Sequence, residues 1–328
     1  MRLIKTEDAV GHVLCHDMTQ IIKDQYKDAR FRKGHVVTEE DIPVLLSMGK
    51  EHLYVWEMTS GMVHENDAAE RLLALCGQEN MIRSGVKEGK IELKAACDGV
   101  FLVNSARLVA VNSQDEVMIA TRKGGMAVRE GDKLAGMRVI PLIIEEEKLR
   151  KAEQAAGDKP LLSLKPYVRK TACIVATGGE VKKGLIKDTF TPVVIDKLKT
   201  YGIETLEVVY SGDGVENVRD AVLTMREKKP DMILCTGGMS VDPDDNTPGG
   251  IKAAGANIIA YGAPVLPGAM FLLGYFDDGM PVMGLPGCVM YAGATVFDLV
   301  LPKIAADVPV TRADLAALGE GGLCLGCK

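Results

Sequence analysis

The sequence predicts an α/β protein. Its main domain is a largely parallel sheet covered on both faces, over residues 171–305. A mixed α+β segment and a small β-rich domain precede it. Three observations lead there. From residue 171, short apolar runs alternate with helical stretches of about 10–15 residues, the pattern of βα units. Gly-rich segments fall where four of those runs should end. Between residues 89 and 145, many short alternating runs are separated by turn signals at Gly124-Gly125 and Gly131-Asp132.

Composition limits the function classes. The chain has 328 residues, 47% hydrophobic and 26% charged, as in a globular protein with a sizeable core. Net charge is −6, from 39 basic and 45 acidic residues, which argues against a dedicated nucleic-acid binder. No apolar run reaches the roughly 18–20 residues that span a bilayer. The start, Met1-Arg2-Leu3-Ile4-Lys5-Thr6-Glu7-Asp8, has no apolar signal core, so a cytoplasmic protein without membrane partners is expected. The eight cysteines are scattered and read as reduced core thiols, except Cys324-Leu325-Gly326-Cys327. That pair is half a zinc site or part of a frayed tail.

Residues 1–60 form the α+β segment. Gly11-His12-Val13-Leu14 and Leu53-Tyr54-Val55-Trp56 are strand-like. Thr38 is an N-cap with Asp41 at the capping-box position, and the helix stops at Gly49. The five histidines have no metal-ligand spacing and read as structural or surface residues. In residues 61–145, a helix over 65–76 is followed by short strands at 91–95, 99–103, 109–112, 117–121 and 139–144. They predict a small β-sandwich or barrel. It is similar to biotinyl and lipoyl carrier domains but has no lysine in an attachment turn, so a structural or docking role is expected. Residues 146–170 read as a linker whose charged helix presents a solvated face, and 306–328 as a tail.

The α/β domain begins with a strand at 171–177, then Gly178-Gly179-Glu180. A helix begins at Thr191-Pro192, a favoured N-cap and N1 pair, and stops at Gly202. Strands follow at 204–210, 231–234, 258–261 and 281–285, and 270–276 is a further apolar run. Helices occupy about 215–228, 247–255 and the stretch up to 301.

The chemistry concentrates in the loop Cys235-Thr236-Gly237-Gly238-Met239-Ser240-Val241-Asp242-Pro243-Asp244-Asp245-Asn246-Thr247-Pro248, whose last pair also starts a helix. Glycines let backbone N–H groups approach a ligand, and Ser240 can donate to a phosphate. Carboxylates repel a bare phosphate, so the two together suggest a bridging divalent cation, most simply Mg2+. A solvated surface turn is the other reading. Ligands of such sheets sit at the carboxyl ends of the strands. Thr177-Gly178-Gly179-Glu180, Ser211-Gly212-Asp213, Thr236-Gly237-Gly238 and Leu285-Pro286-Gly287 would therefore converge on one edge. Neither a dinucleotide fingerprint nor a P-loop is present.

With these motifs, and Gly184-Leu185-Ile186-Lys187-Asp188-Thr189, residues 171–301 resemble the molybdopterin-binding domain shared by molybdopterin adenylyltransferases and molybdopterin molybdenumtransferases. The resemblance implies an α/β/α domain and a loop-edge site for molybdopterin or its adenylated form. It also implies Mg2+, molybdate as substrate, homo-oligomerisation, and a molybdoenzyme or cofactor-synthesis partner. Carried over, Gly237, Gly238 and Ser240 would hold the terminal phosphate, with Thr177, Gly178, Gly179, Asp213, Thr236, Pro267, Gly268, Pro286 and Gly287 lining the cofactor site. Asp245, Asp188 and Glu180 would be catalytic. Asp244, Asp245 and Glu180 would hold the metal. Phe31-Arg32-Lys33-Gly34-His35-Val36 loosely resembles the extra domains of the molybdenumtransferases.

The chain also departs from that pattern. Gly179 stands where the molybdenumtransferases have Asp, and Pro267-Gly268-Ala269-Met270 lacks their lysine. Cys288-Val289 follows Pro286-Gly287 in place of asparagine-proline. The expectation is an enzyme of molybdenum cofactor synthesis that inserts molybdenum with release of AMP. The alternative is a non-catalytic carrier or sensor of the cofactor.

Overall fold

The computed structural model describes residues 2–22, 26–56, 61–240 and 245–325. The chain divides into two compact units. One comprises Met1–Cys97, Leu102–Gly124 and Glu130–Leu164. The other comprises Asp98–Phe101, Gly125–Arg129 and Lys165–Lys328.

In the first unit, strands Arg2–Lys5, His52–Trp56 and Val13–Leu14 form an antiparallel sheet. Alternation along His52–Trp56 sends Leu53 and Val55 into a core with Leu14, Phe31 and Leu45, and leaves His52, Tyr54 and Trp56 outside. The helix Asp41–Ser47 begins after Glu40 and not directly after the expected Thr38 cap, although Asp41 Oδ2 accepts from the backbone N–H and hydroxyl of Thr38. Within residues 61–145, Gly99–Val103 pairs with Met126–Val128 in one antiparallel ladder. Four strands, Val117–Thr121, Lys133–Val139, Ile91–Ala95 and Met81–Arg83, make one antiparallel sheet beside helices Glu65–Ala74 and Ser105–Asn112.

Residues 109–112, read above as a strand, belong to that second helix. Its caps override the β-branched valines. Asn104 accepts from the Arg107 N–H, and Asn112 exchanges two hydrogen bonds with the Ile119 backbone. The charged helix Glu146–Ala156 is not solvated all round. Leu149, Ala152 and Ala156 are fully buried, and Arg71 bonds Glu153 and Glu146.

The second unit is a three-layer α/β/α domain. Its elements are β1 (Thr171–Thr177), α1 (Gly179–Lys182), α2 (Phe190–Lys199), β2 (Glu204–Ser211), α3 (Val215–Glu227), β3 (Met232–Thr236), α4 (Thr247–Ala253), β4 (Asn257–Tyr261), β5 (Leu272–Tyr275), β6 (Pro281–Leu285), α5 (Val296–Ala305) and α6 (Arg312–Ala317). The sheet order is β2-β1-β3-β6-β5-β4. Strands β2, β1, β3 and β6 are parallel, and β5 is antiparallel to both β6 and β4. A parallel β5–β6 pair would need a crossover of about a dozen residues, which the short turn between them cannot supply.

Period-2 alternation splits the core. Ala172, Ile174, Met232 and Leu234 face α2 and α5 through Val194, Leu198, Phe297 and Leu301. Cys173, Val175, Ile233 and Cys235 face α3 and α4 through Val218, Val222 and Ile251. Each fully buried side chain of this size contributes about 1.5–3 kcal/mol. Gly250 sets the α3–α4 approach, since a Cβ there would lie 2.4 Å from Val218 Cβ. Among the described residues, no helix is long and apolar enough to cross a membrane.

Candidate functional site

The strand register brings the glycine segments to one edge. Ala176 pairs with Tyr210 and with Thr236, and Thr236 pairs with Leu285, so β1, β2, β3 and β6 end level with one another. Beyond them lie Gly178-Gly179, Gly212-Asp213, Gly237-Gly238 and Pro286-Gly287. Tyr261 pairs with Leu272, and Leu272 with Gly284. The loop carrying Pro267 and Gly268 therefore leaves β4 at the same edge.

The turn after β3 is built around two glycines. Gly237 and Gly238 adopt φ of +83° and +57°. Successive residues of this kind can make amide N–H groups converge on an anion. Neighbouring groups press close to both. A Cβ on Gly237 would lie 2.6 Å from the Thr177 carbonyl oxygen, and one on Gly238 would lie 2.6 Å from Thr247 Oγ1. The Thr247 hydroxyl donates to the Gly237 carbonyl at 2.9 Å and lies 3.2 Å from Thr177 Oγ1. Thr177 in turn donates to the Thr236 carbonyl at 2.9 Å. Thr247, only 1% exposed, thus clamps the turn from the start of α4.

Two carboxylates are bonded to the glycine loops. Asp245 Oδ2 accepts from the Ser240 N–H at 3.0 Å. Asp213 Oδ2 accepts from the Gly179 N–H at 2.9 Å, and a Cβ at 179 would lie 2.7 Å from the same oxygen. Asp213 therefore fills the space that a side chain at 179 would take. Beside Asp245, the Tyr261 hydroxyl donates to the Met239 carbonyl at 2.9 Å. Burial raises the Tyr261 phenol pKa, and the Asp245 charge adds to the shift.

Other named acids stand apart from this cluster. Glu180 is exposed on the single-turn α1. Asp188 caps α2: its Oδ1 accepts from the Phe190 N–H at 2.9 Å and the Thr191 N–H at 3.0 Å. The helix accordingly begins at Phe190, ahead of the expected Thr191-Pro192 start. Burial pushes the Asp188 carboxyl up, but the hydrogen bonds from the Thr191 and Phe190 N–H groups outweigh it and hold the pKa below the ordinary value. Asp244 lies outside the described residues, as does Cys327. Among the described residues, no three His, Cys, Asp or Glu side chains gather to hold a metal ion by themselves.

The sequence places Thr247 at the end of the glycine loop and at a helix start, and does not single out Tyr261. The Thr-Pro pair marks α4, but nothing in the sequence aims the Thr247 hydroxyl at Gly237. The Tyr261–Met239 bond spans 22 residues and has no local signal.

Residues 173–306 match a family model described as a probable molybdopterin binding domain. Residues 3–57 match a second family, described as a domain of unknown function. A CinA-like protein of Mycobacterium tuberculosis is 33% identical over 76 residues, covering 23% of this chain and 18% of that protein. A CinA-like protein of Petrotoga mobilis is 32% identical over 76 residues, covering 23% and 19%. The chain thus spans under a fifth of the length of these curated relatives. Among solved structures, the molybdopterin biosynthesis Mog protein from Mycobacterium ulcerans is 22% identical. That similarity covers 43% of this chain and 100% of that one, with a TM-score of 0.36. The protein CinA from Thermoplasma acidophilum, of unknown function, is 17% identical over 42% and 98%, with a TM-score of 0.36.

Proposed function

We propose that this chain, whose residues 173–306 match a family model described as a probable molybdopterin binding domain, binds molybdopterin or its adenylated form at the carboxyl edge of the sheet. We further propose that it acts in molybdenum cofactor biosynthesis, inserting molybdenum from molybdate with release of AMP. The observation that carries this reading is the Gly237-Gly238 turn, held by Thr177 and Thr247 where no side chain fits.

In this reading the backbone of Gly237 and Gly238, with Ser240, receives the terminal phosphate. The loops at Thr177-Gly178-Gly179, Thr236, Pro267-Gly268 and Pro286-Gly287 enclose the rest of the ligand. Asp213 holds the Gly179 backbone in place. Asp245 bonds the turn through Oδ2, and no described residue hydrogen-bonds Oδ1. That donor set fits Mg2+, which is commonly held by one or two carboxylates together with substrate phosphates. When bound, Mg2+ would neutralise phosphoryl charge and polarise the adenylyl bond. Glu180, exposed on α1 beside Gly179, is a further candidate for the cation, and Asp188 serves the site by fixing α2.

A second reading, a non-catalytic carrier or sensor, is favoured by those last two placements. With Glu180 exposed and Asp188 capping α2, Asp245 is the catalytic candidate bonded to the glycine turn. In either reading the protein is a homo-oligomer, supported by exposed Leu206 and Tyr210 on the edge strand β2.

The deciding experiment incubates purified protein with adenylated molybdopterin, Mg2+ and molybdate, following AMP release and activation of an apo-molybdoenzyme. Molybdate-dependent AMP release with activation supports the insertion enzyme. Tight binding without release supports the carrier. Absence of binding removes both.

A further inference from the structure

The first unit holds an open cavity of about 420 Å3 that the proposed function does not use. Arg32, Lys33, Trp56, Glu65, Glu88 and Arg138 line it. At its floor is Glu65, the first residue of the helix Glu65–Ala74, whose side chain is only 5% exposed. Two glycines at positive φ close on this carboxylate. A Cβ on Gly34 would lie 2.9 Å from Glu65 Oε1, and one on Gly89 would lie 2.6 Å from Oε2. Neighbouring His64 fixes the same corner. Its Nδ1 accepts from the Asn66 N–H, so its proton sits on Nε2, which donates to the Gly34 carbonyl at 2.8 Å.

The carboxylate is left without a hydrogen bond among the described residues. Its nearest cation, Arg138 Nη2, stands 3.8 Å away. Burial raises its pKa, against the pull of the charges around it. A buried carboxylate without a donor is costly. In the same cavity the shortage is also reversed. The exposed side chains of Arg32 and Lys33 make no hydrogen bond or ion pair with any described residue. Trp56 projects from the solvent face of its strand, because the alternation that buries Val55 turns it outward. A lone anion entering here meets Asp17, Glu65 and Glu88, and a lone cation meets Arg32, Lys33 and Arg138. A ligand carrying both charges satisfies each side.

We propose that this cavity binds a small zwitterion. Glu65 takes the ligand's ammonium group, Arg32 and Lys33 take its phosphate or carboxylate, and the indole of Trp56 covers the chain between them. The site goes beyond the molybdopterin reading and does not depend on it.

The test is isothermal titration of the full chain with two zwitterions, phosphoethanolamine and β-alanine, and with the separate halves: inorganic phosphate, acetate and ethylamine. At least one zwitterion is expected to bind about tenfold or more tighter than either of its halves. The preferred zwitterion identifies the anionic group. Glu65→Gln should reduce its affinity to that of the anion alone. The paired change Arg32→Ala and Lys33→Ala, at exposed positions, should reduce it to that of ethylamine while circular dichroism stays unchanged. Zwitterions binding no better than their halves would overturn the proposal, as would no binding of any probe at millimolar concentration. Should Glu65→Gln fail to fold, the Arg32 and Lys33 pair decides, and unchanged affinity there refutes the site.

Discussion

Replacing Gly238 by alanine tests whether the turn after β3 is a binding device or merely a turn. Two costs add. The residue sits at φ +57°, and moving an L side chain into that region costs about 1 kcal/mol. The new Cβ would also lie 2.6 Å from Thr247 Oγ1. Thr247 is buried, and its hydroxyl cannot swing away without leaving the Gly237 carbonyl unpaired. Losing a buried partner of this kind costs about 1–3 kcal/mol. Gly238→Ala should therefore destabilise the domain by about 2–4 kcal/mol. Gly255→Ala separates the two terms. Gly255 adopts φ +92° at the end of α4, and a Cβ there has nothing within 4 Å, so only the cost of about 1 kcal/mol applies. Urea unfolding followed by circular dichroism compares the two variants, and equilibrium titration measures molybdopterin affinity in each. Gly238→Ala should lose about tenfold or more in affinity, and Gly255→Ala should retain it. Equal destabilisation by both variants, with affinity kept in Gly238→Ala, would refute the clamp.

Asp245→Asn keeps an oxygen to accept from the Ser240 N–H but loses the charge. Turnover in the AMP-release assay should fall about 100-fold or more, with pterin affinity changed only a few-fold, and unchanged turnover would remove Asp245 from the chemistry. Asp188→Ala should cost about 0.5–2 kcal/mol through the lost cap of α2. Because the folded pKa lies below the ordinary 3.8, this contribution is present above that pH and lost as pH falls through the folded value. Urea midpoints of wild type and variant should therefore converge in acid. Glu65 has the opposite sign. Its folded pKa lies above the ordinary 4.5, so wild-type stability falls as pH rises from there through the folded value. The pH dependence of the urea midpoint should flatten in Glu65→Gln, and parallel profiles would show that Glu65 does not titrate differently on folding.

The sequence makes the second unit legible because its rules agree at every level. Apolar runs such as 171–177 are buried on both faces, glycines stop the strands, and each crossover is long enough for a helix. Legibility fails where a tertiary contact outvotes a local preference. Val109, Ala110 and Val111 read as strand by composition, but the Asn104 cap and the Asn112–Ile119 bonds make them helix. Asp188 reads as a site acid through the family resemblance of its motif, and its role as a cap depends on where α2 begins. Thr247 and Tyr261 show the same limit from the other side. Each acts on a carbonyl of the β3 turn, and the chain returns there only after α4 or β4 has formed. A glycine turn can be read from sequence because its constraint lies in its own backbone. The groups that hold such a turn cannot, because their constraint lies in the sheet register. A comparison of aligned relatives would therefore separate the two kinds of residue by what changes together: positions 177, 237 and 247 as one group, and 239 with 261 as another.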